Sequence, residues 1–155
     1  MIFVILGTQD KPFTRLLEII EQSNIEDEII VQAGFTKFES KKMKIFDYVD
    51  MKDFNDYIER ADLIISHGGV GTIMNALANR KKVIACARLS KYGEHQNDHQ
   101  LQLIKPLKDS GYILELEDNA DIDKLIDKLE FFEPKEYVSN NANFIGILKD
   151  FINKT

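Results

Sequence analysis

A single cysteine in 155 residues leaves no disulfide framework to read. Cys86 lies inside the apolar run Val83-Ile84-Ala85-Cys86-Ala87, where a small thiol behaves as a buried, inert hydrophobe, and a reducing cytoplasm suits it. Long apolar runs are missing as well. Nowhere do the roughly 18 consecutive apolar residues of a membrane-spanning helix occur. The opening Met-Ile-Phe-Val-Ile-Leu stops at Gly7 and has no basic flank, so it reads as a strand and not as a signal peptide. Positive charge is the scarcer sign, with 20 Lys and Arg against 26 Asp and Glu and a net charge of −6. No basic stripe stands out, which argues against nucleic acid as a partner. Repeats and low-complexity linkers are absent too, and the most polar stretch, residues 35–44, reads as an exposed connection whose lysines are solvated. What is present is the composition of a core-forming soluble chain, 44% hydrophobic and 30% charged, expected to fold as one domain over residues 1–155.

Short apolar runs alternate with segments of helical period. Ile2–Leu6 precedes a helical segment from Pro12, whose Phe13, Leu16, Leu17 and Ile20 share a face, and the pattern recurs through the runs beginning at Glu28, Met43, Leu63, Lys82 and Gly111. That alternation implies an α/β, Rossmann-like fold, a mostly parallel sheet with helices on both faces. Such sheets bind ligands beyond the carboxyl ends of their strands, which directs attention to the turns after Leu6 and Ile65.

All three histidines and four of the eight glycines fall between residues 65 and 100, with Gly68, Gly69 and Gly71 inside four positions. Ser66-His67-Gly68-Gly69 ends one strand and leads into a helix. A helix N-terminus offers free N–H groups and a partial positive charge, and glycine lets an anion approach the backbone, so Gly68, Gly69, Gly71 and Thr72 can seat a diphosphate. A tight strand-to-helix turn packed closely is the competing reading. The segment matches neither G-x-x-x-x-G-K-[ST] nor G-x-G-x-x-G. Asn75, four residues past Gly71, is placed to reach a ribose hydroxyl. In the loop after the Lys82 strand, Asp98 and Gln100 can accept from sugar hydroxyls. His95 and His99 share a helical face only if the helix starts early, and as a zinc pair they lack a third ligand. No metal and no cofactor are expected.

At these residues a resemblance appears. His-Gly-Gly-Val-Gly-Thr-Ile-Met-Asn-Ala-Leu from His67, with Gly-Glu-His-Gln-Asn-Asp-His-Gln from Gly93 and the opening Leu6-Gly7-Thr8-Gln9, resembles the C-terminal, nucleotide-sugar-binding half of GT-B glycosyltransferases. The likeness is to the family 28 C-terminal type, which includes bacterial exopolysaccharide and capsule transferase subunits and the cytosolic subunit of the dolichol-linked GlcNAc transferase. The resemblance implies that His67, Gly68, Gly69, Gly71 and Thr72 face the UDP phosphates. It places Asn75 where broader relatives carry a ribose-binding acid, so a charge-assisted bond is lost here. It implies donor-sugar contacts from Asp98, His99 and Gln100, with Gly7 and Thr8 lining the acceptor side.

The reaction so implied is metal-independent transfer of a hexose from a UDP-sugar to a lipid-linked saccharide acceptor, in exopolysaccharide or capsule synthesis. Candidates for the base that takes the acceptor proton are His67, His95, His99 and Glu94, with His95 or Glu94 preferred. A GT-B enzyme also needs an acceptor-binding half that 155 residues do not hold. A membrane-anchored Rossmann-like partner is therefore expected to recruit this chain from the cytoplasm to the inner face of the membrane, with some self-association when alone. The helical segment carrying Phe144, Ile147, Leu148 and Phe151 on one face, broadened by Ile145 and Ile152, is expected to pack mostly on its own sheet and partly on that partner. A non-catalytic UDP-sugar-binding or regulatory subunit is the alternative, and an unrelated small Rossmann-like phosphate-handling enzyme a third reading.

Overall fold

Branched residues populate every strand segment. In the computed structural model, which describes residues 1–138 and 141–153, they build one sheet of β1 (Ile2–Ile5), β2 (Ile29–Gln32), β3 (Met43–Phe46), β4 (Leu63–His67), β5 (Lys82–Cys86) and β6 (Leu114–Glu115). The order across the sheet is β3-β2-β1-β4-β5-β6, and every pairing is parallel. The sheet is thus wholly parallel where a mostly parallel one was expected. In register, β1 sets Ile2 opposite Ile29 on one side and Leu63 on the other. Chain order reverses direction between β1 and β4, which opens a crevice beyond their carboxyl ends.

Strand side chains alternate between two cores. Ile2, Val4 and Leu6 join Leu16, Leu17 and Ile20 of α1 (Thr14–Glu21) and Ile122 and Leu129 of α5 (Ile122–Leu129). Phe3 and Ile5 face the other way. They meet Ile58 of α2 (Met51–Arg60), Ile73 and Leu77 of α3 (Val70–Ala78), Leu103 and Leu107 of α4 (Leu101–Asp109), and Phe144 and Ile147 of α6 (Ala142–Asn153). Both faces of a parallel sheet are then covered, as its backbone geometry demands.

Three boundaries differ from the periodic pattern. β6 keeps only two residues of the run from Gly111 to Leu116. α4 begins at Leu101, with residues 98–100 in a turn, so His95 and His99 do not share a helical face. Half of residues 35–42 are exposed, yet Thr36 is buried and its Oγ accepts the Phe13 N–H at 2.9 Å, tying that connection to the start of α1.

The apolar face of α6 is largely used within the chain. Phe144 is 1% exposed and meets Tyr112 and Tyr137 edge-on at 5.2 and 4.9 Å, and Leu148 and Phe151 lie partly buried on the same core. Ile152 is 65% exposed. Phe144→Ala is expected to lower the unfolding free energy by about 3 kcal/mol or more, read from urea denaturation, because it leaves an aromatic-sized void between α4 and α6. Among the described residues no helix is long and apolar enough to cross a membrane.

Candidate functional site

The crevice between β1 and β4 is a cleft of about 390 Å³. Its polar wall is Gly7, Thr8, His67, Gly69, Gly71 and Thr72, and its apolar wall is Tyr48, Val49, Met51 and Phe54, from the end of β3 and the start of α2. Sequence reading missed that second wall. The only hint was the apolar residues in Asp47-Tyr48-Val49-Asp50-Met51, next to a strand end.

Gly69 is the N-cap of α3 and has no side chain with which to cap it, and the helix hydrogen bonding opens with the Ile73 N–H on the Gly69 carbonyl at 3.1 Å. Helix geometry leaves the N–H groups of Val70, Gly71 and Thr72 without acceptors inside the helix, and the helix dipole adds partial positive charge there. Such a helix end can accept an anion. Gly71 is exposed, and a Cβ added to it would meet nothing within 4 Å.

The other glycines serve packing. A Cβ on Gly7 or Gly69 would stand 2.4 or 2.5 Å from His67 Nε2, so the imidazole occupies the slot between those two backbones. A Cβ on Gly68 would stand 2.5 Å from the Gln100 Cβ, and the Gly68 N–H is already given to Gln100 Oε1 at 2.9 Å. Gly68 therefore does not offer its N–H to an anion, contrary to the expectation from the sequence. His67 is 6% exposed, and burial pushes its imidazole down to about 3, with Arg88 and then His95 adding to the shift. A group so reluctant to bind a proton is a poor general base.

Gln100 is buried behind His67 and bonds it, Gly68 and Arg88, so it does not line the cleft as a sugar contact would. Asn75 lies off the cleft walls, and its Oδ1 accepts from Asn79 at 2.9 Å. Asp98 is exposed and caps the turn at Ser90, accepting from the Ser90 N–H and Oγ at 2.8 and 3.0 Å. The His99 ring stacks on Phe151 at 4.4 Å, and its Nε2 is buried without a hydrogen-bond partner among the described residues. Glu94 is 3% exposed, and both its oxygens are engaged: Arg15 donates to them at 3.0 and 2.9 Å and the Leu89 N–H at 3.0 Å. Its carboxylate holds the loop together. His95 keeps partial exposure, and burial, followed by Arg88, His99 and Lys11, holds its imidazole below the ordinary histidine value. Cys86 is buried and its thiol is pushed up to about 12 by burial, which leaves it protonated and inert.

A larger hollow of about 620 Å³ lies at the opposite, amino edge of the sheet. Asp27, Asp62, Asp123, Asp127 and Glu130 line it, a field that repels phosphate. The Asp-x-Asp sequence Asp121-Ile122-Asp123 falls there, with Asp121 spent on capping α5 and Asp123 accepting from Asn24. Among the described residues no group of three His, Cys, Asp or Glu is arranged to hold a metal ion.

A parallel 3-2-1-4-5-6 sheet with an open helix N-terminus at its switch point defines a Rossmann-like domain of the kind that forms half of a GT-B glycosyltransferase. The particular family follows from comparison: residues 1–154 match the glycosyltransferase family 28 C-terminal domain, and the chain belongs to it. It is 28% identical over 124 residues to the UDP-N-acetylglucosamine transferase subunit ALG13 of Candida albicans, covering 80% of this chain and 36% of that protein. Identity to the same-named subunit of Debaryomyces hansenii is 25% over 89 residues, covering 57% of this chain and 41% of that one. The chain thus matches about two fifths or less of the length of these curated relatives. In fold it is similar to the solution structure of ALG13, with TM-score 0.64 and 20% identity over 98% of this chain and 96% of that chain. It is also similar to MurG of Acinetobacter baumannii, with TM-score 0.55 and 16% identity over 97% of this chain and 44% of that one.

Proposed function

We propose that this chain is the donor-binding, catalytic subunit of a metal-independent hexosyltransferase, moving a sugar from UDP to a lipid-linked saccharide acceptor in exopolysaccharide or capsule synthesis. One observation carries the reading: the uncapped N-terminus of α3, with Gly71 open beside it, faces a cleft that has an apolar wall opposite. A nucleoside diphosphate has both matching parts. Its phosphates sit against the N–H groups of Val70, Gly71 and Thr72, and its base against Tyr48, Val49 and Met51.

As the bond from the sugar to the β-phosphate oxygen breaks, negative charge grows on that oxygen. Fixed N–H groups and the α3 dipole stabilise it without a metal and without reorganising. Of the four candidate bases, Glu94 has its oxygens occupied and His67 is buried with a depressed proton affinity. His95, partly exposed and neutral at physiological pH, is assigned the acceptor proton. The acceptor comes from a membrane-anchored Rossmann-like partner, which brings this chain from the cytoplasm to the inner face of the membrane. The names of the ALG13 relatives, transferase subunits, support a partner. Alone, the chain binds donor, transfers little and self-associates weakly.

The complex with the partner, supplied with UDP-hexoses and a lipid-linked acceptor, is expected to transfer at an undiminished rate in EDTA. Turnover lost in EDTA and restored by magnesium, manganese or zinc would overturn the metal-free reading. A second reading, a UDP-sugar-binding subunit without turnover, is favoured by Asn75 standing where an acid was expected, with its oxygen given to Asn79. It predicts tight UDP binding in a complex that transfers nothing.

A further inference from the structure

The geometry points to Gln100 as the positioning residue that fixes the tautomer of His67, keeping the single ring proton on Nε2 so that the imidazole meets the cleft as a neutral hydrogen-bond donor. The use of that donor by a diphosphate rests on the nucleotide-sugar reading above, whereas the tautomer does not.

The two ends of a glutamine amide look alike in shape, so the chemistry of their neighbours must orient them. Here it does. Gln100 Oε1 lies 2.9 Å from two backbone N–H groups, those of Gly68 and Arg88, and an N–H can only donate. The oxygen must therefore stand there, which turns the NH₂ group toward His67 Nδ1 at 3.0 Å. That NH₂ has protons and no usable lone pair, so Nδ1 must be the acceptor and carries no proton. A neutral imidazole then holds its proton on Nε2. That atom occupies the slot between Gly7 and Gly69, two residues of the cleft wall.

The absence of a Cβ at Gly68 is what admits Gln100 this close. The charged and titratable groups that face His67 are Arg88 and His95, and both oppose a second ring proton, as burial does. His67 is thereby a donor to a phosphate or sugar oxygen and not a base. The glutamine expected to touch the sugar acts instead one layer deeper, through the histidine.

Nitrogen-detected NMR of the full chain, labelled with ¹⁵N-histidine and free of ligand, tests this. His67 is separated from His95 and His99 by single alanine variants of those two. Wild-type His67 is expected to show protonated Nε2 and bare Nδ1, unchanged from about pH 5 to about pH 8. Gln100→Glu keeps the side-chain length and both backbone acceptances but turns an oxygen toward Nδ1. Its expected result is a proton on Nδ1 and a His67 that titrates within that window. UDP affinity of this variant should fall about tenfold at the alkaline end and recover toward the acid end, where imidazolium restores the Nε2 proton. A packing role alone would move neither tautomer nor pH profile.

A wild-type His67 protonated on Nδ1, or titrating near an ordinary histidine value, would overturn the assignment. So would an unchanged tautomer in folded Gln100→Glu. If that variant fails to fold, the wild-type spectrum decides alone. If the wild-type tautomer is as stated and UDP does not bind, the nucleotide-sugar reading falls while the role of Gln100 stands.

Discussion

Gly71→Asp is expected to keep or raise the stability of the chain while lowering its affinity for UDP by about a hundredfold or more. The two effects have opposite signs because one end of one helix produces both. Gly71 lies in the first turn of α3, and a Cβ there meets nothing within 4 Å, so the substitution costs no packing. Replacing glycine inside a helix gains a few tenths of a kcal/mol, and an acid in the first turn gains about 0.3–1 kcal/mol from the dipole. The same carboxylate, however, sits on the exposed N–H groups where the proposed diphosphate would bind, and repels it. Urea denaturation and calorimetric titration on one sample read both numbers. A variant that binds UDP as wild type removes the anion seat from this helix.

Arg88→Leu is expected to lower the unfolding free energy by about 3 kcal/mol and to loosen both loops of the cleft. Arg88 is 1% exposed, and its guanidinium donates to the carbonyls of Lys11 at 2.7 Å, Glu94 at 3.0 Å and Leu6, while lying over the Phe13 ring at 5.0 Å. Leu6 and Lys11 bracket the turn that carries Gly7 and Thr8, and Glu94 belongs to the loop after β5. One side chain thus ties the β1 and β5 loops together. Leucine fills part of the volume but leaves three carbonyls without donors, each costing about 1 kcal/mol or more. Part of the loss is offset because a buried cation is expensive to desolvate, a cost visible in the fall of its pKa to about 10. Arg88→Lys should recover only a fraction, since a single ammonium does not reproduce the planar fork that spans three acceptors. Denaturation midpoints for the two variants check the order. Stability equal to wild type in Arg88→Leu would show that the loops are held by other contacts.

The fold and the place of the candidate site were legible in the sequence because both rest on local pattern. Alternating apolar runs and helical periods gave the α/β layering, and a histidine-glycine turn between a strand and a helix marked the carboxyl edge. Roles that depend on distant residues were not legible. Glu94 looked like free acid chemistry, yet Arg15, 79 positions earlier, takes its carboxylate. Gln100 and Asp98 both stood in a sugar-facing segment, but the turn before α4 buries one behind His67 and commits the other to Ser90. The glycines of the turn read as one anion cradle. Only Gly71 is free of a packing duty, because His67 and Gln100 press against Gly69 and Gly68. The apolar wall from Tyr48 to Phe54 was hard to place for a different reason: it follows β3, the strand on the far side of β2, and no spacing rule links it to the turn after β4.

On the proposed reading, UDP lies against the N-terminus of α3 in the cleft between β1 and β4. Backbone amide NMR during titration with UDP, up to about 1 mM, tests it most directly, since a ligand in that seat must touch particular N–H groups. The largest shifts are predicted at Val70, Gly71 and Thr72, with smaller ones at Gly7 and Thr8 and none at Asp27, Asp62 or Asp127 of the acidic hollow. No saturable shift in that range, or shifts centred on the hollow or on α6 with Val70 to Thr72 unmoved, would contradict it.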